Sequence, residues 1–134
     1  AVKNNYLIVR DQFAISYNDA LGQPNWVSWN FTPDDRGSSG RTEAWSEDPL
    51  LPEGFYRVQT SDYVDSGFTR GHMCPSGDRT VTANDNSFTF LMSNMVPQTS
   101  HNNAGVWNEF ENETRNLGAA GNEVLIICGP SGFS

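Results

Sequence analysis

Two separated stretches hold the residue types that could do chemistry. Residues 69–78 read Thr-Arg-Gly-His-Met-Cys-Pro-Ser-Gly-Asp and set one of only two histidines, His72, beside an arginine and a glycine in a turn-rich setting. Residues 94–111 begin Asn-Met-Val-Pro-Gln and run through Asn103 to Glu111. Together they supply a candidate base, a neutral oxygen ligand for a hard metal, a carboxylate and several guanidinium groups. Histidine is the side chain whose unperturbed pKa suits proton removal near neutrality. Mg²⁺ prefers oxygen ligands and keeps several of its waters, so one protein amide is enough to seat it. Arginine offers a planar, bidentate grip on phosphate. The set suits phosphodiester hydrolysis.

The elements that must position these groups are short. Residues 6–9 and 13–17 read as strands, residues 22–25 (Gly-Gln-Pro-Asn) as a turn, and residues 26–31 as a strand with Val27, Trp29 and Phe31 on one face. The expectation is an antiparallel meander. Residues 32–54, heavy in Gly, Pro, Asp and Ser, form a long irregular stretch that contains Arg36, Arg41 and a Trp45 expected to pack down. Residues 55–58 look like another strand, 61–67 like a turn, and 76–86 like a short helix or an ordered loop. Residues 87–93 alternate as a half-buried strand would, and Pro97 is expected to interrupt any regular element. From Ser100 the period changes to that of a helix, with Val106, Trp107, Phe110 and Leu117 near one stripe and Gly118 at its stop. Val106, Trp107 and Phe110 are expected in the core. Residues 123–128 are an apolar strand.

On one continuous helix, Asn103 and Glu111 would stand about 80° apart around the axis and roughly 12 Å apart along it. Asn103 could then offer its amide oxygen to a cation, with Glu111 reaching the same ion through water. Arg115, one turn on, is placed to pair with Glu111 or to meet substrate.

Composition bounds these readings. A chain of 134 residues suits one domain, and this length buries roughly two-thirds of its unfolded surface. Charged residues are only 18% of the chain, with four Trp, eight Phe and four Tyr, which marks a folded, turn-rich protein rather than a disordered one. No apolar run approaches the roughly 20 residues of a membrane span. The first residue is Ala rather than Met, from which a removed leader or tag is expected. The net charge of −8 counts against broad attraction to nucleic acid, so converging arginines and a divalent cation would have to do that work. Cys74 and Cys128 leave a disulfide and two free thiols at even odds, with no zinc-type cysteine spacing.

Arg70-Gly71-His72, with Asn94-Met-Val-Pro97-Gln98 and the run from Asn103 to Glu111, resembles the DNA/RNA non-specific endonucleases of the ββα-metal superfamily. Their signature is Asp-Arg-Gly-His, then Asn-x-x-Pro-Gln, then an Asn that begins the metal-binding helix. The match covers nearly the whole chain. It implies an α+β fold: a central, mainly antiparallel sheet with flanking helices. It also implies His72 as general base, Asn103 as the one direct protein ligand to Mg²⁺ (with Mn²⁺ or another divalent cation as substitutes), and Glu111 as the carboxylate that orders metal-bound water. Arg41 stands where the phosphate-stabilising arginine is expected, with Arg36 as its rival. Arg70 and Arg115 match arginines of the site, and Asn94 and Gln98 shape it. DNA and RNA are the implied substrates, 5′-phosphate ends the products, a protein inhibitor a conceivable partner, and a secreted or periplasmic setting the expected one.

Two departures stand out. Thr69 occupies the signature's Asp position, and family domains continue well past the Gly-Pro at 129–130. Residues 1–134 are therefore read as one nuclease domain or its N-terminal portion. They would be a naturally small member, a shortened one, or a piece of a cleaved protein whose C-terminal fragment stays associated.

Blander readings compete residue by residue. Asn103 alone could cap a helix, His101 belongs in solvent, Arg36 and Arg57 could hold loops, and Asp34, Asp35 and Asp78 could cap turns. As a whole, the chain could be a catalytically inactive nuclease-fold binding module, which Thr69 and the acidic charge favour, or a metal-dependent phosphoesterase for small substrates.

Overall fold

The computed structural model describes residues 2–131. Its principal sheet has four antiparallel strands in the order β1-β2-β3-β6: β1 (Tyr6–Val9), β2 (Ala14–Asn18), β3 (Gln23–Phe31) and β6 (Val124–Cys128). Alternation puts Ile8, Ile15, Tyr17, Val27, Trp29, Phe31 and Ile126 on one buried face. The same alternation turns Leu7, Val9, Leu125 and Ile127 outward, where all four are exposed. A separate antiparallel pair, β4 (Thr69–His72) and β5 (Met95–Gln98), carries the histidine. Among the described residues there are three α-helices: α1 (Ala83–Phe88), α2 (Ser100–Ala104) and α3 (Val106–Ala119).

The meander forms as the alternation predicts, with one correction at its turn. Gly22 closes the turn at φ 63°, and residues 23–25 already belong to β3. Pro24 is tolerated there because it pairs with Tyr17 where the register shifts, a place that asks for no regular ladder donor.

Four other expectations fail for identifiable reasons. Residues 55–58 form no strand, because Phe55 is taken up edge-on by Tyr6, with ring centroids 5.4 Å apart. Residues 87–93 close α1 and pass into a 3₁₀ turn at Met92–Asn94, and Phe90, Leu91 and Met92 are all buried, so their alternation marks no sheet face. Pro97 sits inside β5, opposite Arg70 in a pair with no third strand. The apolar stripe of α3 also faces the wrong way: Val106, Phe110 and Leu117 are exposed and only Trp107 reaches the core.

What α3 turns inward is its polar stripe: Glu111 and Arg115 half-buried, Thr114 and Gly118 buried. These follow Trp107 at helical spacing. Gly118 lies inside the helix rather than at its stop, because a Cβ there would come within 2.6 Å of the Phe31 ring. The helix ends instead at Ala120 and Gly121, the latter at φ 99°.

Three polar anchors tie the loops to the sheet. Buried Arg79 donates to the Gln12 and Asn30 carbonyls at 2.8 Å, which holds residues 76–80 against the β1–β2 turn and β3. Asn86 of α1 accepts from the Thr42 amide and donates to the Ser76 and Arg79 carbonyls, joining the arginine-bearing loop to that turn. Arg10 forms a two-pronged pair with Asp48, both buried, and Ser93 donates to the same carboxylate.

Candidate active site

β4 delivers His72 to the floor of a cleft of about 1020 Å³. Asn94 fixes the chain just beyond the histidine: its side chain accepts from the Cys74 amide, donates to the Cys74 and Thr89 carbonyls, and is fully buried. Trp107 of α3 donates to the His72 carbonyl at 3.0 Å, locking the helix to the strand. Gly71 has no side chain because Gln98 packs where its Cβ would lie.

The imidazole is enclosed by aromatic rings. Phe90 meets it edge-on at 4.8 Å and Trp45 at 5.4 Å, so the irregular loop does pack down through its tryptophan. Nε2 of His72 is buried without a hydrogen-bond partner. Burial, with help from Arg41 and Arg70, pushes the His72 pKa down to about 3, so the ring is neutral at ordinary pH.

Arg36, Arg41, Arg70 and Arg115 all line this cleft, with Asn103 and Glu111. Both rivals for the phosphate-stabilising role, Arg36 and Arg41, are therefore present. Arg70 stacks on Trp45 at 3.9 Å from the ring centroid. Arg41 lies 5.1 Å from the Phe90 centroid and is held by Glu43 at 2.9 Å. Four of the chain's eight basic residues line the cleft, against one of its sixteen acidic ones, Glu111. The local charge is opposite in sign to the whole.

Asn103 and Glu111 reach the cleft without the continuous helix expected of them. Gly105, at φ −103° and ψ −107°, separates α2 from α3, so the 80° and 12 Å of an unbroken helix do not apply. The Asn103 amide nitrogen lies 3.4 Å from the Thr69 hydroxyl, which itself donates to the Gln98 carbonyl, so threonine supplies a neutral neighbour where the signature has a carboxylate. Arg115 pairs with Asp78 rather than with Glu111. Asp78 is no surface cap: it is fully buried and also accepts from Trp29. Its only sequence signal was a position six residues after His72.

The chain matches the model of the DNA/RNA non-specific endonucleases over residues 2–133. It belongs to that family. A nuclease of Nostoc sp. is 45% identical over 129 residues, covering 96% of this chain and 47% of that protein. Human mitochondrial nuclease EXOG is 35% identical over 119 residues, covering 87% of this chain and 32% of that protein. A solved complex of EndoG with EndoGI superposes with a TM-score of 0.83 at 27% identity, covering 94% of this chain and 53% of that one. The chain thus spans about half or less of the lengths of these relatives. The expected fold class is that of the EndoG structure.

Members of the DNA/RNA non-specific endonuclease family are expected to work with a metal, and the residues present fit a hard cation. Asn103 offers an amide oxygen and Glu111 a carboxylate in the same cleft, and no cluster of three His, Cys, Asp or Glu exists among the described residues. Such a donor set leaves most of the coordination to water, as Mg²⁺ prefers. Burial pushes the Glu111 pKa up to about 7 against the pull of Arg115, and a cation beside it would favour the charged carboxylate. Cys74 and Cys128 are free thiols, Cys74 fully buried.

The shift at His72 also bears on stability. An unfolded histidine titrates near 6.5 and the folded one near 3, so the folded state loses stability as pH falls through that window. Each unit of difference is worth about 1.4 kcal/mol. Glu111 acts in the opposite sense between its ordinary value of 4.5 and about 7, gaining stability as it protonates, so the histidine dominates below about pH 4.5. Acid unfolding followed by circular dichroism should show His72→Gln surviving to a lower pH than the wild type; coincident curves would contradict the buried, neutral ring.

Proposed function

We propose that this domain hydrolyses phosphodiester bonds of DNA and RNA without sequence preference, leaving 5′-phosphate ends. The observation that carries the reading is a neutral imidazole with an unpartnered nitrogen in a cleft where arginines gather in an acidic chain. Membership of the family supports it.

In this reading His72 accepts the proton of the attacking water. Arg41, Arg70 and Arg115 grip the scissile phosphate and stabilise the charge that grows on it, with Arg36 at the margin. Asn103 would hold Mg²⁺ directly and Glu111 would hold it through water. The cation would neutralise phosphate charge and support the departing oxygen. The aromatic wall of Trp45 and Phe90 keeps bulk water from the imidazole and holds its orientation.

A protein inhibitor that covers the cleft belongs to the same proposal, supported by the solved complex of EndoG with EndoGI. The inactive binding module finds less support, because His72, Asn103, Glu111, Arg41, Arg70 and Arg115 all line one cleft. Digestion of plasmid DNA and of RNA, with Mg²⁺ and with EDTA, tests the reading. Cleavage of both polymers that stops with EDTA is expected; turnover of small phosphate esters with both polymers left intact would establish the phosphoesterase instead.

A further inference from the structure

Arg115 is held more firmly than an arginine on a helix surface needs to be. One terminal nitrogen donates to Asp78 Oδ1 at 3.2 Å and the other to Asn112 Oδ1 at 2.9 Å. The guanidinium lies across the turn at Ser76–Asp78, where Gly77 leaves the space: a Cβ there would come within 2.6 Å of the same nitrogen that donates to Asp78. Asp78 is itself immobilised, with its second oxygen accepting from Trp29 of β3 at 2.9 Å and its neighbour Arg79 bound to the Asn30 carbonyl of β3 and the Gln12 carbonyl of the β1–β2 turn.

Glu111 is the natural competitor. It precedes Arg115 by four residues on α3, the spacing at which a glutamate and an arginine pair on a helix. Yet the ion pair of Arg115 is with Asp78. Two of the five guanidinium N–H groups suffice for the two anchors, leaving others for an anion.

We propose that Asp78 is a positioning residue: by tethering Arg115 to the sheet through Trp29, with Gly77 clearing the space, it keeps Arg115 off Glu111 and leaves both free for the cleft. The role rests on the nuclease reading given above. Without Asp78, Arg115 folds back onto Glu111, and a phosphate grip and a metal-ordering carboxylate are lost together.

A double-mutant cycle separates this from a merely structural role, in which losses multiply independently. Asp78→Asn is expected to lower kcat/KM on DNA by about 10- to 100-fold, and by less than about threefold when Arg115 is already alanine. Full multiplicative loss in the Arg115→Ala background overturns the proposal. Gly77→Ala serves should Asp78→Asn fail to fold, since it adds one methyl against the end of a flexible side chain. It is expected to lose about tenfold or more in kcat/KM while its unfolding temperature stays within about 2 °C of the wild type. Wild-type activity in that variant counts against the proposal. Should the wild type cleave nothing, the nuclease reading fails by itself, and ¹⁵N spectra of the arginine side chains still decide the tether. A resolved Arg115 Nε–H signal that merges with the solvent-exposed arginines in Asp78→Asn or Gly77→Ala supports it, and an unchanged signal refutes it.

Discussion

Replacing His72 with alanine should lower the rate of DNA cleavage by about 10²- to 10⁴-fold, the usual worth of a positioned general base. The effect should fall on kcat rather than KM, because the arginines proposed to grip phosphate remain in place. The ring fills space between Trp45 and Phe90, so the substitution also opens a cavity, and thermal unfolding must be followed beside the kinetics. Added imidazole separates the two effects. It can enter the vacated space and accept the proton, and partial recovery of rate is expected. Full activity in a folded His72→Ala protein would remove the histidine from the reaction.

The largest loss of stability should come from Asp48→Ala. Asp48 and Arg10 are almost wholly buried, with 0% and 6% of their side chains exposed, and the carboxylate also accepts from Ser93 and from the Leu50 amide at 2.8 Å. Truncating the acid leaves a buried guanidinium without its counter-charge and two donors without an acceptor. Breaking such a pair costs about 3–5 kcal/mol, a large share of the roughly 5–15 kcal/mol that holds a domain together. Urea unfolding should show the midpoint falling steeply or the transition vanishing. A change below about 1 kcal/mol would show that water or a rearranged side chain replaces the carboxylate.

Neither pair is visible as a pair in the sequence, where 38 residues separate Arg10 from Asp48 and 37 separate Asp78 from Arg115. Local pattern revealed what local forces decide. The period-two alternation of Val27, Trp29 and Phe31 placed β3 and its buried face, because a sheet with one covered face imposes that alternation directly. The histidine motif and Asn103 were legible because the family signature fixes their spacing, and the cleft brings them together.

Pattern misled where tertiary contacts overrode it. Phe88, Phe90 and Met92 alternate, yet that segment is covered on several sides and turns rather than extends. On α3 the apolar residues suggested the inward stripe, whereas the inward face carries Glu111 and Arg115, which line the cleft, and Thr114, whose hydroxyl donates to the Glu111 carbonyl. A helix that lines a cleft can invert the rule that its apolar side faces in, and here it does.

The arginines in the cleft, set in a molecule with sixteen acidic residues and a net charge of −8, give the protein a preferred direction of approach. A polyanion arriving from most bearings meets repulsion and is turned away; one arriving at the cleft mouth meets attraction. Added salt weakens both, over a screening distance of about 8 Å at physiological ionic strength. The repulsion acts from farther out than the close grip of the arginines, so screening removes it first. Encounter with long nucleic acids should therefore quicken on the first additions of salt and slow only at higher concentrations, unlike the monotonic decline of proteins that meet phosphate with a broadly basic face.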